Sequence, residues 1–362
     1  MDVRNYVKMN ISRKNGCREK GLISTDFFHN FLSFQTFHTT HKLVLSTSTT
    51  LLLLPALFSC QTEQTVMMRI SGQFRESHPL DVFIFNCEDP GHLDTYQHIE
   101  NNASQEIFLR SQSGEKNVFI CSDGQRTRYD WAEINSREGL DGIYIELKDE
   151  RREHLCSTGE VRLTAGSDET HPVQMRRIAS EIILQSIRCD FTGKPYEGRM
   201  IEDVQVYLIN VNSSCSITAD GDIVPLSIVN AGRADHDDIA GFKEPDLICQ
   251  NMETYISTEI SRVGMSFICY PNTSAKEGPG TPFTRLVIEG TIDGERFWWP
   301  IDINRNDGTE NPGIHRNCRY IYDITIKRKG TSNPDEVMET ETAEVLMKIR
   351  QWKEKDEHVI VY

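Results

Sequence analysis

The sequence predicts an all-β protein built as β-sandwiches, two in tandem. Three observations carry that class. Apolar and polar residues alternate at period two along much of the chain, clusters of Asp, Asn, Gly and Ser interrupt them at short intervals, and amphipathic helical periodicity is almost absent. Many short strands with turns at this spacing are the pattern of antiparallel sheets packed face to face.

The first strand is expected over 66–74, where Val66, Met68, Ile70, Gly72 and Phe74 share one face and Met67, Arg69, Ser71 and Gln73 the other. Further strands are expected over 81–85, 105–109, 117–121, 142–147 and 160–164, each bounded by turn-forming residues. An isoleucine-rich element over 178–189 ends at Phe191-Thr192-Gly193-Lys194-Pro195, a turn by composition, and 203–210 reads as the next strand. The polar stretch 212–222, with Asn212-Ser213-Ser214 and Ala219-Asp220-Gly221-Asp222, is the expected domain boundary.

Beyond it, a strand within 256–270 ends in Ser266-Phe267-Ile268-Cys269-Tyr270 and is stopped by Pro271. The next signal is a hairpin. Asp293-Gly294 separates the apolar run 286–292 from Glu295-Arg296-Phe297-Trp298-Trp299, and both turn residues tolerate positive φ, as a type I′ turn requires. Pro300 restricts the second arm to an edge or a strand end. Tyr320, Tyr322, Ile324 and Ile326 then share a face, Lys329-Gly330 ends that strand, and 343–352 and 358–362 are strand-like pieces of the tail.

Before the first strand lies a leader. Lys42 precedes an apolar run over 43–59 that contains Leu51 to Leu54, the Pro55 break and Leu57-Phe58-Ser59-Cys60. Charge, apolar run and small residues before a cysteine are the order of a secretory signal, here of the lipoprotein kind, with Cys60 as the lipidated residue. The run of about 17 residues is shorter than the roughly 20 that span a bilayer. Residues 1–41, with six Lys and Arg and many aromatics, do not fit a signal n-region, and a start assigned too early accounts for them. The expected organisation is a signal region 1–59, sandwiches 60–212 and 213–335, and C-terminal strands 336–362.

With the seven Lys or Arg and three Asp or Glu of residues 1–60 set aside, 32 positive and 51 negative side chains remain, a net of −19. Nucleic acid is therefore not an expected partner, and the charge serves solubility. Eight cysteines follow Cys60, none in a C-x-x-C pair, and their spacing selects no disulfide pattern; several end apolar strands, as buried free thiols do.

No catalytic signature is present: G-x-S-x-G, H-E-x-x-H and a Gly-rich phosphate loop after a strand are all missing. Arg233-Ala234-Asp235-His236-Asp237-Asp238 lacks fixed ligand spacing and reads as solvated surface. No enzyme, cofactor or metal is expected. Trp298 and Trp299 face opposite ways on a strand, so at most one is free to stack on a sugar; glycan capture at the outer membrane is the alternative function. In the tail Ala343, Val345, Met347 and Ile349 alternate with charged or larger residues, and Val359-Ile360-Val361-Tyr362 ends it without a polar cap. Such a strand is either covered within its own domain or donated to a neighbour's sheet.

Phe297-Trp298-Trp299-Pro300-Ile301-Asp302-Ile303-Asn304, a polar loop, Ile314-His315-Arg316-Asn317-Cys318-Arg319-Tyr320-Ile321-Tyr322-Asp323-Ile324-Thr325-Ile326, then Gly330 and Asn333-Pro334-Asp335, resemble the C-terminal signature of fimbrillin-like proteins, the type V pilus subunits with their accessory and anchor proteins. Arg177-Ile178-Ala179-Ser180-Glu181-Ile182 resembles the R-x-x-A-x-I strand of that family's first domain, with Ser180 where alanine is expected. The resemblance implies transthyretin-like sandwiches, export as an outer-membrane lipoprotein, and partners that are other pilus subunits joined by strand exchange. It further implies that an arginine-specific protease removes the lipidated segment with the first strand, for which Arg75 is the candidate, and that Ala343, Val345, Met347, Ile349, Val359 and Val361 belong to the donated strands. An uncut anchor or accessory subunit is the variant favoured by the five residues between Cys60 and Val66.

Overall fold

Alternation at the start of the chain becomes strand β1 (Thr65–Gly72), with Met68 and Ile70 buried and Thr65, Met67 and Arg69 exposed. The computed structural model describes residues 65–87, 91–305 and 308–353. There follow β2 (Leu80–Asn86), β3 (Leu93–Ile99), β4 (Glu106–Gln112), β5 (Gly114–Ser122), β6 (Tyr144–Glu146), β7 (Ser157–Ala165), β8 (Thr170–Val173) and β9 (Arg176–Arg177). All but β6 form a three-stranded sheet in the order β4-β1-β8 and a five-stranded sheet in the order β3-β2-β5-β7-β9. The two pack face to face through Met68, Ile70, Ile107, Leu109 and Val173 against Leu80, Val82, Ile84, Val118, Ile120 and Leu163. Each such side chain contributes about 1.5–3 kcal/mol when fully buried.

The other face of the five-stranded sheet is also covered. Phe83, Phe85, Phe119 and Cys121 join Trp131, Leu140, Ile145 and Leu147 of the connection between β5 and β7. Helix α1 (Arg137–Asp141) in that connection is one turn long and is capped by Ser136, whose hydroxyl accepts from the Gly139 amide at 3.0 Å. Five residues are too few to display helical periodicity, which is why the sequence reads as irregular there.

The second half comprises β10 (Ser180–Cys189), β11 (Glu202–Ile209), β12 (Val211–Asn212), β13 (Ser214–Ser216), β14 (Ile228–Val229), helix α2 (His236–Ala240), β15 (Cys249–Asn251), β16 (Ser261–Cys269), β17 (Arg285–Ile292), β18 (Glu295–Asp302), β19 (Cys318–Ile326) and β20 (Ala343–Gln351). Two four-stranded sheets, β16-β10-β19-β20 and β15-β11-β17-β18, enclose Ile182, Leu184, Phe267, Tyr320, Tyr322, Leu286, Ile288 and Trp299. The pairing of β10 with β19 is parallel, as is β1 with β8. Asp293 (φ +52°) and Gly294 (φ +80°) close the β17–β18 hairpin with both turn residues left-handed, as expected.

The division expected at 212/213 does not follow the hydrogen bonding. Strands β10 and β11 precede it and pair with β16, β19 and β17, all of which follow it. The larger sheets change partners between β9 and β10, with β6 alone crossing to pair with β13; the polar stretch that suggested a boundary begins as buried chain, residues 211–217, which forms β12 and β13. Among the described residues the eight cysteines are free, and no helix is long and apolar enough to cross a membrane.

Candidate functional site

Of the residues singled out in the sequence, Cys60, Val359 and Val361 lie outside the described residues. The first strand, the expected processing residue and the rest of the expected donor segment fall on two strands and one turn. Strand β1 is inserted between two partners: it runs antiparallel to β4 from Thr65↔Gln112 to Ser71↔Glu106, and parallel to β8 from Arg69↔Thr170 to Gly72↔Val173. Both its ladders are thus occupied, and its Met68 and Ile70 cover the core from above.

Immediately after β1, Phe74 is buried and Arg75 begins a turn in which Glu76 and Ser77 are exposed. Ser77 takes φ +63°, and its amide donates to the Asn102 carbonyl at 2.7 Å. The half-buried Arg75 side chain donates from Nη1 to the Glu153 carbonyl at 3.1 Å. The Arg75–Glu76 bond therefore lies at the surface, on the boundary of a strand whose loss would open two ladders at once.

Among the described residues strand β20 occupies a sheet edge and pairs only with β19, from Cys318↔Gln351 to Ile326↔Ala343. Ala343 is buried and Val345 and Met347 are half-buried, but Ile349 is 48 % exposed and Leu346 59 %. Here the strand is covered, incompletely, by its own chain. Trp352 beyond it is buried, with the Arg177 guanidinium 4.4 Å above its ring.

The two strands share a local sequence. Val66-Met67-Met68-Arg69-Ile70 in β1 and Val345-Leu346-Met347-Lys348-Ile349 in β20 match position by position, with Met67 against Leu346 and Arg69 against Lys348 as conservative exchanges. This likeness is present in the bare sequence, but its meaning depends on knowing that one segment fills an inner position and the other an edge.

The fimbrillin-like signature is structural throughout. Trp299, Ile301, Ile303, Ile314, Tyr320, Tyr322, Ile324 and Ile326 are core, and the Trp299 indole donates to the Arg328 carbonyl at 2.9 Å. Asp335 accepts from Arg285 Nη1 at 2.5 Å, and the same nearly buried guanidinium reaches Asp302 at 2.6 Å and Glu277 at 2.8 Å. Trp298, on the opposite face, donates to Glu289 at 3.0 Å and packs against Tyr207 and Val287. The acidic segment at 235–238 has a capping role: Asp235 accepts from the Asp237 and Asp238 amides at the start of α2.

One cluster was invisible in the sequence. His78, Asp123 and His154, from three separate segments, converge beside the Arg75 turn.

No family model matches the chain, and no curated protein matches it in sequence. Solved structures do match its fold. The fimbrilin of Porphyromonas gingivalis superimposes with a TM-score of 0.58 at 13% identity, over 80% of this chain and 98% of that one. The tip fimbrial protein Mfa3 of Porphyromonas gingivalis, with C-terminal truncation, gives 0.51 at 12% identity, over 80% and 100%. A candidate cell adhesion protein of Bacteroides eggerthii gives 0.59 at 14% identity, over 80% and 96%. The all-β sandwich architecture expected from the sequence is thus the fold of fimbrillin-like proteins.

Proposed function

We propose that this chain is a non-enzymatic subunit or anchor of a fimbrium, held at the outer membrane through lipid on Cys60 until it is cut after Arg75, and joined to neighbouring subunits by β-strand complementation at the cell surface. The observation that carries the reading is the match between 66–70 and 345–349. Cleavage after Arg75 frees β1 from the chain, leaving the facing edges of β4 and β8 unpaired above Ile107, Leu109 and Val173. A strand entering in the direction of β1 restores both ladders, and the side chains of β20 repeat those it replaces.

Burial gives the direction. Ile349 is 48 % exposed at its own sheet edge, whereas its counterpart Ile70 is fully buried. Moving Ile349 into that position removes apolar surface from water, favourable by about 25 cal/mol per Å². The ladder bonds are regained as well. Val359 and Val361 extend the same donated tail.

Ile349→Asp is the test. In the monomer this position is exposed, so the variant folds; in the acceptor groove it places a carboxylate where Ile70 lies. After cleavage at Arg75 with an arginine-specific protease, the unaltered chain is expected to form a ladder of polymers on gels without boiling, and the variant at least tenfold less. A variant that polymerises as well as the parent overturns the reading.

A further inference from the structure

We infer that His78, Asp123 and His154 form a binding site for a first-row divalent transition cation, which locks the turn carrying Arg75 onto the body of the protein. The site goes beyond the fimbrial reading, and only its consequence for processing rests on that reading.

Three segments build it. His78 ends the turn between β1 and β2, Asp123 follows the last residue of β5, and His154 closes a short 3₁₀ turn over Arg152–His154. His78 Nδ1 lies 2.7 Å from Asp123 Oδ2, and His154 Nδ1 lies 3.2 Å from Asp123 Oδ1. The two imidazole centroids are 4.8 Å apart, and one ligand atom from each of the three residues lies within 4.8 Å of the others. Ligands about 2.0–2.2 Å from a tetrahedral zinc stand roughly 3.4 Å from one another, so closing on a cation takes small side-chain rotations.

The surroundings suit a ligand set. Asp123 is 4 % exposed and is held by the Ser122 hydroxyl, which donates to Oδ2 at 3.1 Å, an outer contact that orients the carboxylate. His154, 53 % exposed, leaves an entry path and room for water in a fourth position. Two imidazoles and one carboxylate favour zinc or its neighbours over magnesium and calcium, which prefer all-oxygen sites. In the metal-free arrangement the carboxylate accepts from both Nδ1 atoms; a cation takes the place of those two hydrogen bonds, each neutral imidazole then carrying its proton on Nε2.

The consequence is mechanical. The segment supplying His154 also supplies the Glu153 carbonyl that accepts from Arg75. A cation held by His78 and His154 therefore pins both ends of the turn to the same support. Proteolysis at Arg75–Glu76 requires this turn to open locally, and the cation opposes that opening.

Titration of the full metal-free chain with zinc chloride by calorimetry, alongside trypsin digestion followed by mass spectrometry, tests the proposal. One zinc per chain is expected, with cleavage after Arg75 slowed at least tenfold and the rate restored by a chelator. Both effects should be lost in His78→Ala and in His154→Ala; the latter alters an exposed side chain and leaves the fold intact. Magnesium chloride should produce neither. Zinc binding that survives both substitutions, or a cleavage rate that zinc leaves unchanged, overturns the proposal. These readouts use the monomer, so a failure of polymerisation in the Ile349→Asp experiment leaves them standing.

Discussion

Glu150 is a carboxyl group almost wholly withdrawn from water, in contact with the Tyr270 hydroxyl at 2.8 Å and the Cys156 amide at 3.4 Å. Burial raises its pKa to about 8, against the partial relief of those two donors. The folded state thus holds a proton that the unfolded chain has lost from about pH 4.5 upward. The stabilisation is full below pH 4.5 and is lost as pH rises through 8, by an amount on the order of a few kcal/mol. Urea midpoints measured from pH 4.5 to 8.5 should fall for the native chain and flatten for Glu150→Gln, which should be the more stable of the two at pH 8.5. A Glu150→Gln profile as steep as the native one would show that another group drives the loss. Nothing in the sequence marks Glu150 among its acidic neighbours, since only the fold determines which carboxyl is dehydrated. The same holds for His78, Asp123 and His154: separations of 45 residues between the first two and 31 between the last two match no ligand motif.

Strands facing a single core were legible because their alternation reports one buried face, as in β1 with Met68 and Ile70 inward. Strands β2 and β5 show continuous apolar runs instead, and the structure supplies the reason: Val82 and Ile84 face one core while Phe83 and Phe85 face the other. Strand β3 was not legible, because all seven of its residues are half-buried and leave no period to detect. Gly330 shows a constraint of another kind, set by how closely a loop approaches a strand. A Cβ placed there would lie 2.1 Å from the Trp298 carbonyl oxygen, and the next residue, Thr331, exchanges backbone hydrogen bonds with Trp298 at 2.7 and 3.2 Å. Gly330→Ala should push the loop off β18 and cost about 2 kcal/mol, as overpacking typically does. Chemical denaturation checks this, and a loss below 0.5 kcal/mol (roughly the noise of a surface change) would mean that the loop yields freely.

At the scale of the molecule, two packed pairs of sheets do not behave as two independent domains: a short ladder joins β6 to β13 between them. The larger core runs without interruption from Phe83, Phe85 and Phe119 of the first pair, through Trp131 and Leu147 of the connection, to Leu184, Tyr322 and Trp299 of the second. Arg316 crosses the same junction, donating to the Thr158 hydroxyl at 2.8 Å and to the Arg176 carbonyl at 3.2 Å. Unfolding the second pair alone would strip one face of the five-stranded sheet and expose several aromatic side chains, each worth about 1.5–3 kcal/mol when buried. The sheets are therefore coupled through shared apolar surface, and a single cooperative transition is expected in scanning calorimetry, with equal calorimetric and van't Hoff enthalpies. The smaller core, around Met68, Ile70 and Leu109, lies on the far face of the same sheet and is roofed by β1. Cleavage at Arg75 followed by loss of β1 should accordingly split that transition, lowering a first step that reports on this core while the second retains the native midpoint. Two resolved transitions in the uncut chain would refute the coupling, and one unshifted transition after removal of β1 would show that this strand contributes little to the core it covers.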